Sequence, residues 1–185
     1  MNVKEIVRFA KDRIPPIGPN RNVYRCSAYL TDGTYLPCVA LENPAERVEL
    51  AMRRFDESRS AKVGVGMDYR PIVTSFVAKG NKVNDYDLSR IELSPYAIPL
   101  ERLQEIRGET SMSWTEFTAV MDDGKEFPFG TRFLMEFFEM PEGYSAQRIQ
   151  RIIPHEIGKP RFRPGEAQVR VFRERPYFIC YIESI

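Results

Sequence analysis

Ser27-Ala28-Tyr29-Leu30-Thr31-Asp32-Gly33-Thr34-Tyr35-Leu36-Pro37-Cys38 lines up with Thr118-Ala119-Val120-Met121-Asp122-Asp123-Gly124-Lys125-Glu126-Phe127-Pro128-Phe129, 91 residues further on. Ala, Asp-Gly and Pro coincide, and the apolar positions agree. A residue followed by Asp-Gly and then Thr or Lys suits a type I turn with Gly in the left-handed region, forming a bulge. That register sets Leu30 against Thr34, Ala28 against Leu36 and Cys26 against Cys38. In the second stretch it sets Met121 against Lys125, Ala119 against Phe127 and Phe117 against Phe129. One face of each hairpin is then apolar throughout, and a slip by one residue would scatter those side chains between faces.

The flanks extend the match. Before the first hairpin, Val3, Ile6, Val7 and Ala10 recur at helical spacing over Val3–Arg13. Before the second, Leu100, Leu103 and Ile106 do so over Pro99–Arg107, with a stop at Gly108. After the first hairpin, Asn43-Pro44-Ala45-Glu46 reads as a cap, a first-turn Pro and a capping box. Val48, Ala51, Met52 and Phe55 then line the inner face of a helix. After Pro141, a helix over Ser145–Ile153 is expected, with Ala146, Ile149, Ile152 and Ile153 inward and Pro154 as its end. Each half closes with a strand pair: Pro71–Lys79 with Val83–Leu93 around Gly80-Asn81, and Ala167–Arg173 with Tyr177–Glu183 around Glu174-Arg175.

The expected fold class is therefore α+β, mainly antiparallel sheet, built by an internal tandem duplication of an α-β-β-α-β-β unit. The first repeat covers 1–94 and the second 95–185. The joint at Ser94–Ile98 is short and carries Tyr96, Ala97 and Ile98, so the halves are expected to pack as one unit about a pseudo-two-fold axis.

The chain has 185 residues, 43% of them apolar and 29% charged, which is the composition of a globular domain able to bury a core. No apolar run approaches the ~20 residues that span a bilayer, so no membrane partner is expected. Met1–Pro15 carries Lys4, Glu5, Lys11, Asp12 and Arg13 and does not read as a signal peptide. Three cysteines suit a reducing compartment rather than a disulfide scaffold, and the expected location is cytoplasmic. One His and three scattered Cys argue against a zinc site, and neither a metal nor another cofactor is expected.

Charge is segregated. Residues 1–84 carry 14 bases and 9 acids, residues 85–142 carry 5 and 13, and residues 143–185 carry 8 and 4. The basic tail holds Arg148, Arg151, Arg161, Arg163, Arg170, Arg173 and Arg175, with Phe162, Phe172 and Tyr177 among them. Arg161, Arg163, Arg170, Arg173 and Arg175 are the candidate binding residues. Arginines with interleaved aromatics suit phosphate and stacked bases. The nearly neutral chain, +1 overall, instead favours arginines that meet the acidic segment or a protein partner.

Candidate chemistry is sparse. His155, in Pro154-His155-Glu156, reads as a partly exposed loop histidine that Glu156 could orient. Cys26 and Cys38 occupy positions that the second stretch fills with Phe117 and Phe129, which marks a core site rather than a redox pair. Cys180, in Tyr177–Ile182, reads as packing inside a buried strand. Asp32, Asp122 and Asp123 belong to turns. Asp85 and Asp87 alternate along a strand and share a face, a pattern that serves a metal or acid–base pair or simply a solvated face. Val63-Gly64-Val65-Gly66-Met67 lacks the third glycine of a dinucleotide loop. Trp114, Phe133, Phe137 and Phe138 fall in strand, with Phe138 on the face opposite Phe133 and Phe137, as a second packed layer or a contact surface. No catalytic residue is assigned. The expected function is a non-enzymatic intracellular protein of the adaptor, inhibitor or immunity type. Its expected partner is another protein or a second copy. Two alternatives are nucleic-acid binding through the arginines and an enzyme with its site between the repeats, using His155, Glu156 or Asp85 and Asp87.

Overall fold

Asn2 starts the structure. Its side chain accepts the Glu5 N–H at 3.0 Å, and the Glu5 carboxylate accepts the Asn2 N–H at 2.8 Å. This reciprocal box satisfies two of the amides a helix start leaves open. The helix it begins, α1 (Val3–Arg13), buries Ile6 and Ala10. The computed structural model describes residues 1–18, 22–60, 81–106, 109–110, 114–131, 137–155, 170–171 and 177–185.

Two antiparallel hairpins organise these residues. In the first, β1 (Val23–Leu30) pairs with β2 (Tyr35–Glu42). In the second, β5 (Thr115–Met121) pairs with β6 (Glu126–Thr131). The turns match bond for bond. Leu30 N donates to Thr34 O at 2.8 Å and Met121 N to Lys125 O at 2.9 Å; Gly33 N donates to Leu30 O and Gly124 N to Met121 O, both at 3.0 Å. Gly33 and Gly124 have φ of 87° and 82°, the left-handed geometry the bulged turn requires. The second hairpin keeps the expected register, Ala119 opposite Phe127 and Phe117 opposite Phe129. The first keeps Ala28 opposite Leu36, but a bulge follows and Cys26 faces Val39 instead of Cys38.

Between them lie α2 (Pro44–Ser60), β3 (Asn81–Val83), a 3-10 turn (Asp85–Asp87), β4 (Leu88–Leu93) and the short α3 (Leu100–Leu103). After β6 come a 3-10 turn (Ala146–Arg148), β7 (Ile149–Pro154), β8 (Arg170–Val171) and β9 (Phe178–Tyr181). The described strands form a five-stranded sheet ordered β3-β9-β2-β1-β4 and a four-stranded sheet ordered β7-β5-β6-β8. β9 runs parallel to β2 and β3, and β8 runs parallel to β6. The protein is thus mixed α+β, with two sheets and few helices. It divides into two compact units: Met1–Glu92 with Pro176–Ile185, and Leu93–Arg175.

Several expectations are corrected. Residues Ile149–Pro154 are strand, not helix. The apolar spacing Ile149, Ile152 mimics a helix because β7 carries a bulge: Ile149 faces Met121, Arg151 faces Val120 and Ile152 faces Ala119. One extra residue turns a period of two into a gap of three. Val83–Leu93 is not one strand, since Asp85–Asp87 forms a 3-10 turn inside it. β3 pairs with β9 and β4 lies beside β1; Pro71–Lys79 falls outside the described residues. β8 and β9 do not form a closing hairpin, because each adds in parallel to a different sheet. The last ten residues group with Met1–Glu92. In α2, Asn43 caps Ala45 N at 2.8 Å, but Glu46 accepts Asn22 N at 2.7 Å instead of closing a box. Arg47 is buried against Glu42 on β2 at 3.5 Å and Ala51 is buried, while Val48 and Met52 are exposed. The buried side of the helix is therefore shifted toward Arg47 while keeping Ala51 from the expected stripe.

In the first unit, α1 covers one sheet face through Ile6, Ala10 and Ile14 on Tyr24, Cys26, Ala28, Val39, Leu41, Ile91 and Cys180. In the second, Phe117, Phe129 and Phe138 form a ring cluster with centroids 5.5, 5.6 and 6.1 Å apart. Phe138 is fully buried there, so it marks packing and not a contact surface. Phe137 is buried too, and Phe133 lies outside the described residues.

Candidate functional site

Of the five candidate arginines, Arg161, Arg163, Arg173 and Arg175 lie outside the described residues. Arg170 opens β8, its backbone opposite Phe129. The charge pattern can be followed at Arg148. Its guanidinium clasps the Asp122 carboxylate at 2.7 and 3.0 Å, donates to Gly143 O at 2.9 Å and lies 4.6 Å from the Tyr144 ring centre. The Arg148 hydrogen bonds hold the Asp122 carboxyl below its ordinary range and raise Arg148 in return. Tyr144 also donates to Asp123 at 2.6 Å and packs on Phe127. This basic residue of the tail is therefore matched by a carboxylate of the acidic segment.

His155 is not partly exposed. It follows β7, is buried, and donates its backbone N–H to Glu116 O at 3.3 Å. Its Nε2 lies 2.9 Å from Thr118 Oγ and its Nδ1 lies 3.4 Å from Glu116 Oε2. Trp114 Nε1 donates to the other Glu116 oxygen at 2.9 Å. A hydroxyl, an imidazole and a carboxylate in series resemble a nucleophile, its base and an orienting acid. Thr118 is 1% exposed, however, so its oxygen is closed to a substrate and the chain reads as a satisfied buried network. The carboxylate beside His155 is Glu116, supplied by the neighbouring strand; Glu156 lies outside the described residues. Pairing of β5 with β7 assembles this group, and nothing local in the sequence signals it.

Asp85 and Asp87 are turn residues rather than a strand pair. Asp85 accepts Tyr86 N at 3.0 Å and Asp87 accepts the Asn84 amide at 2.9 Å. Among the described residues no group of His, Cys, Asp and Glu is placed to hold a metal. Cys26, Cys38 and Cys180 are buried free thiols. Burial, with its neighbouring cysteines, raises the Cys26 thiol far above its ordinary range, and burial pushes Cys180 up to about 12. Such thiols are poor nucleophiles. The Val63–Met67 stretch lies outside the described residues. No described helix is long and apolar enough to cross a membrane.

The surface feature the sequence did not single out is a set of tyrosines at the end of the first sheet. Tyr35 leaves the Asp-Gly turn and is 42% exposed, with its ring centre 4.9 Å from that of Tyr29. Arg90 on β4 lies 4.3 Å from the Tyr29 ring centre and pairs with Glu92 at 3.1 Å. Tyr86 is 72% exposed on the 3-10 turn, which Thr31 N binds to the hairpin through Asp87 O at 2.8 Å. The chain matches no family model, no curated protein and no solved structure.

Proposed function

We propose that the protein is a non-enzymatic module that binds another protein, and that Tyr35 and Tyr86 lie at the centre of its binding face. The observation that carries this is the 72% exposure of Tyr86 and the 42% exposure of Tyr35 on adjoining turns. Exposed tyrosines backed by arginine are the residue types that dominate protein interfaces. Arg90 and Ser89 stiffen the site from behind: Ser89 Oγ lies 3.0 and 3.1 Å from the carbonyls of Tyr29 and Leu30. A pre-ordered aromatic face loses little freedom on binding. The buried His155–Thr118 pair and the turn roles of Asp85 and Asp87 weigh against the enzyme alternative, and the pairing of Arg148 with Asp122 weighs against nucleic-acid binding.

The finer reading of the fold is also proposed here, that both units arose by duplication. It is supported by the two matched Asp-Gly turns, and by Thr31 N on Asp87 O at 2.8 Å beside Asp122 N on Arg148 O at 2.9 Å. The order β9-β2-β1-β4 beside β8-β6-β5-β7 supports it as well. In this reading α2 and β3 are additions to the first copy.

The test is capture followed by titration. A partner identified by mass spectrometry is purified and titrated against the wild type and the Tyr35→Ala/Tyr86→Ala variant. A loss of at least ~30-fold in affinity is expected of two central anchors. Unchanged affinity refutes the assigned face. Salt-sensitive retention of nucleic acid on a filter, lost on replacing Arg161, Arg163 and Arg170 by Gln, would replace this reading with nucleic-acid binding.

A further inference from the structure

β4 and β7 occupy the same place, next to the first strand of their hairpins and at the outer edge of their sheets among the described residues. Their edges are treated differently. On β7 the Ile152 N–H is met by the Glu105 carboxylate at 2.5 Å, and Arg102 pairs with that carboxylate in turn. An edge capped in this way is blocked to another strand. Among the described residues no side chain accepts from a β4 N–H; the Met1 ammonium donates to the Ser89 carbonyl at 2.5 Å, near one end. Leu93 at the other end is 46% exposed. The outward side chains alternate in sign, Arg90 and Glu92, and both are about half exposed.

That sequence is complementary to itself. In an antiparallel pair of β4 strands related by a two-fold axis at Ile91, Arg90 of one copy faces Glu92 of the other, and Glu92 faces Arg90. Leu93 then falls opposite Ser89 of the second copy and is covered. Both charge pairs are formed by one symmetric contact, as a closed dimer requires. A register shifted by one pair in that direction puts Glu92 opposite Glu92, so the charges also select the pairing.

We propose that the β4 edge is a self-association site, and that its partner is a second copy of this chain joined strand to strand about Ile91. The contact is small, and a reversible dimer in the micromolar range or weaker follows. Arg90 and Ser89 also back the Tyr35–Tyr86 face, but the two readings are tested apart, because the dimer is read with no partner present and the tyrosine variant leaves β4 unchanged. A chain that stays monomeric overturns this proposal and leaves that face untouched, and failure of the tyrosine variant to lose its partner leaves the dimer untouched.

Sedimentation equilibrium over a concentration series tests it, with no ligand but the protein. The wild-type average mass is expected to rise toward twice the chain mass. Arg90→Glu places Glu opposite Glu at both pairs and is expected to weaken the dimer by about tenfold or more. The double exchange Arg90→Glu/Glu92→Arg restores opposite charges and is expected to return affinity to within about threefold of wild type. Both positions are exposed, and a thermal melt confirms that each variant is folded. A monomer at every concentration, a dimer indifferent to Arg90→Glu, or a double exchange that fails to restore it each overturns the proposal.

Discussion

Cys26 and Cys180 show how burial sets the chemistry of single residues. Both lie in the core that α1 covers, and Cys26 Sγ donates to the Val39 carbonyl at 3.5 Å. A thiolate there has no solvation, so the folded state keeps each thiol protonated where the unfolded chain releases the proton. The unfolded chain then binds fewer protons, and unfolding becomes easier as pH rises. The stabilisation is complete below the ordinary thiol range near 9.0 and is lost above it, toward the folded value of about 12 for Cys180. Urea unfolding between pH 7.5 and 10.5 is expected to show a decline of up to about 1.4 kcal/mol per pH unit for each thiol at the steepest part. In Cys26→Ala/Cys180→Ala the decline should be shallower, because two of the three buried thiols no longer contribute. Parallel curves would show that these thiols are not the groups responsible. The sequence does place all three cysteines in packing roles: Cys26 and Cys38 because a position that also accepts phenylalanine is a core position, and Cys180 because it stands in an apolar strand run. The Thr118–His155–Glu116 group is different. Its members come from β5 and from the residue after β7 and meet through the ladder, and a reading that looks for partners nearby in sequence turns to Glu156.

At the scale of elements, turn chemistry carries the most information. Asp32 accepts Thr34 N at 2.9 Å and Asp123 accepts Lys125 N at 3.1 Å, so each Asp closes its own turn. Gly33 and Gly124 have open space where a Cβ would sit, so substitution there tests the backbone alone. Gly33→Ala and Gly124→Ala are each expected to cost about 1–2 kcal/mol, and by similar amounts, because both force an L-residue to positive φ. Chemical denaturation measures the loss; a neutral result at either turn would mean that its geometry relaxes to a type that tolerates Ala. Periodicity is a weaker guide. Leu88 with Ile91, and Ile149 with Ile152, are spaced by three, yet both pairs lie in strands. Helix α2 shows a different departure: the Arg47–Glu42 ion pair is buried beside Ala51, while Val48 and Met52 of the apolar stripe are exposed. Neither a bulge nor a buried ion pair has a local signature that separates it from an amphipathic pattern.

At the scale of the whole chain, β9 is the notable strand. It is last in sequence, yet lies between β3 and β2 inside the first sheet, with Ile179, Cys180 and Ile182 buried. Lys11 Nζ donates to Ser184 O at 2.9 Å and the Asn43 amide to Glu183 O at 2.8 Å, so the terminus is tied to α1 and to the cap of α2. A chain ending at Arg175 is expected to lose the first unit as a cooperative structure. Hydrogen exchange read by mass spectrometry should then show α1, β1 and β2 unprotected while β5, β6 and β7 keep their protection. Protection retained in β1 and β2 would show that the hairpin and α1 hold without the inserted strand.

What the sequence by itself determined is local: the two Asp-Gly hairpins, the helix at Val3–Arg13, the cap at Asn43 and the burial of the cysteines. Each depends on residues within a few positions of one another, where backbone preference and side-chain reach act directly. Only the tertiary structure decided the strand identity of Ile149–Pro154, the separate destinations of β8 and β9, and the meeting of His155 with Thr118 and Glu116. Those outcomes depend on which free sheet edge a distant segment meets. Parallel additions such as β9 on β2 join residues about 140 positions apart, between segments whose local patterns would fit either edge.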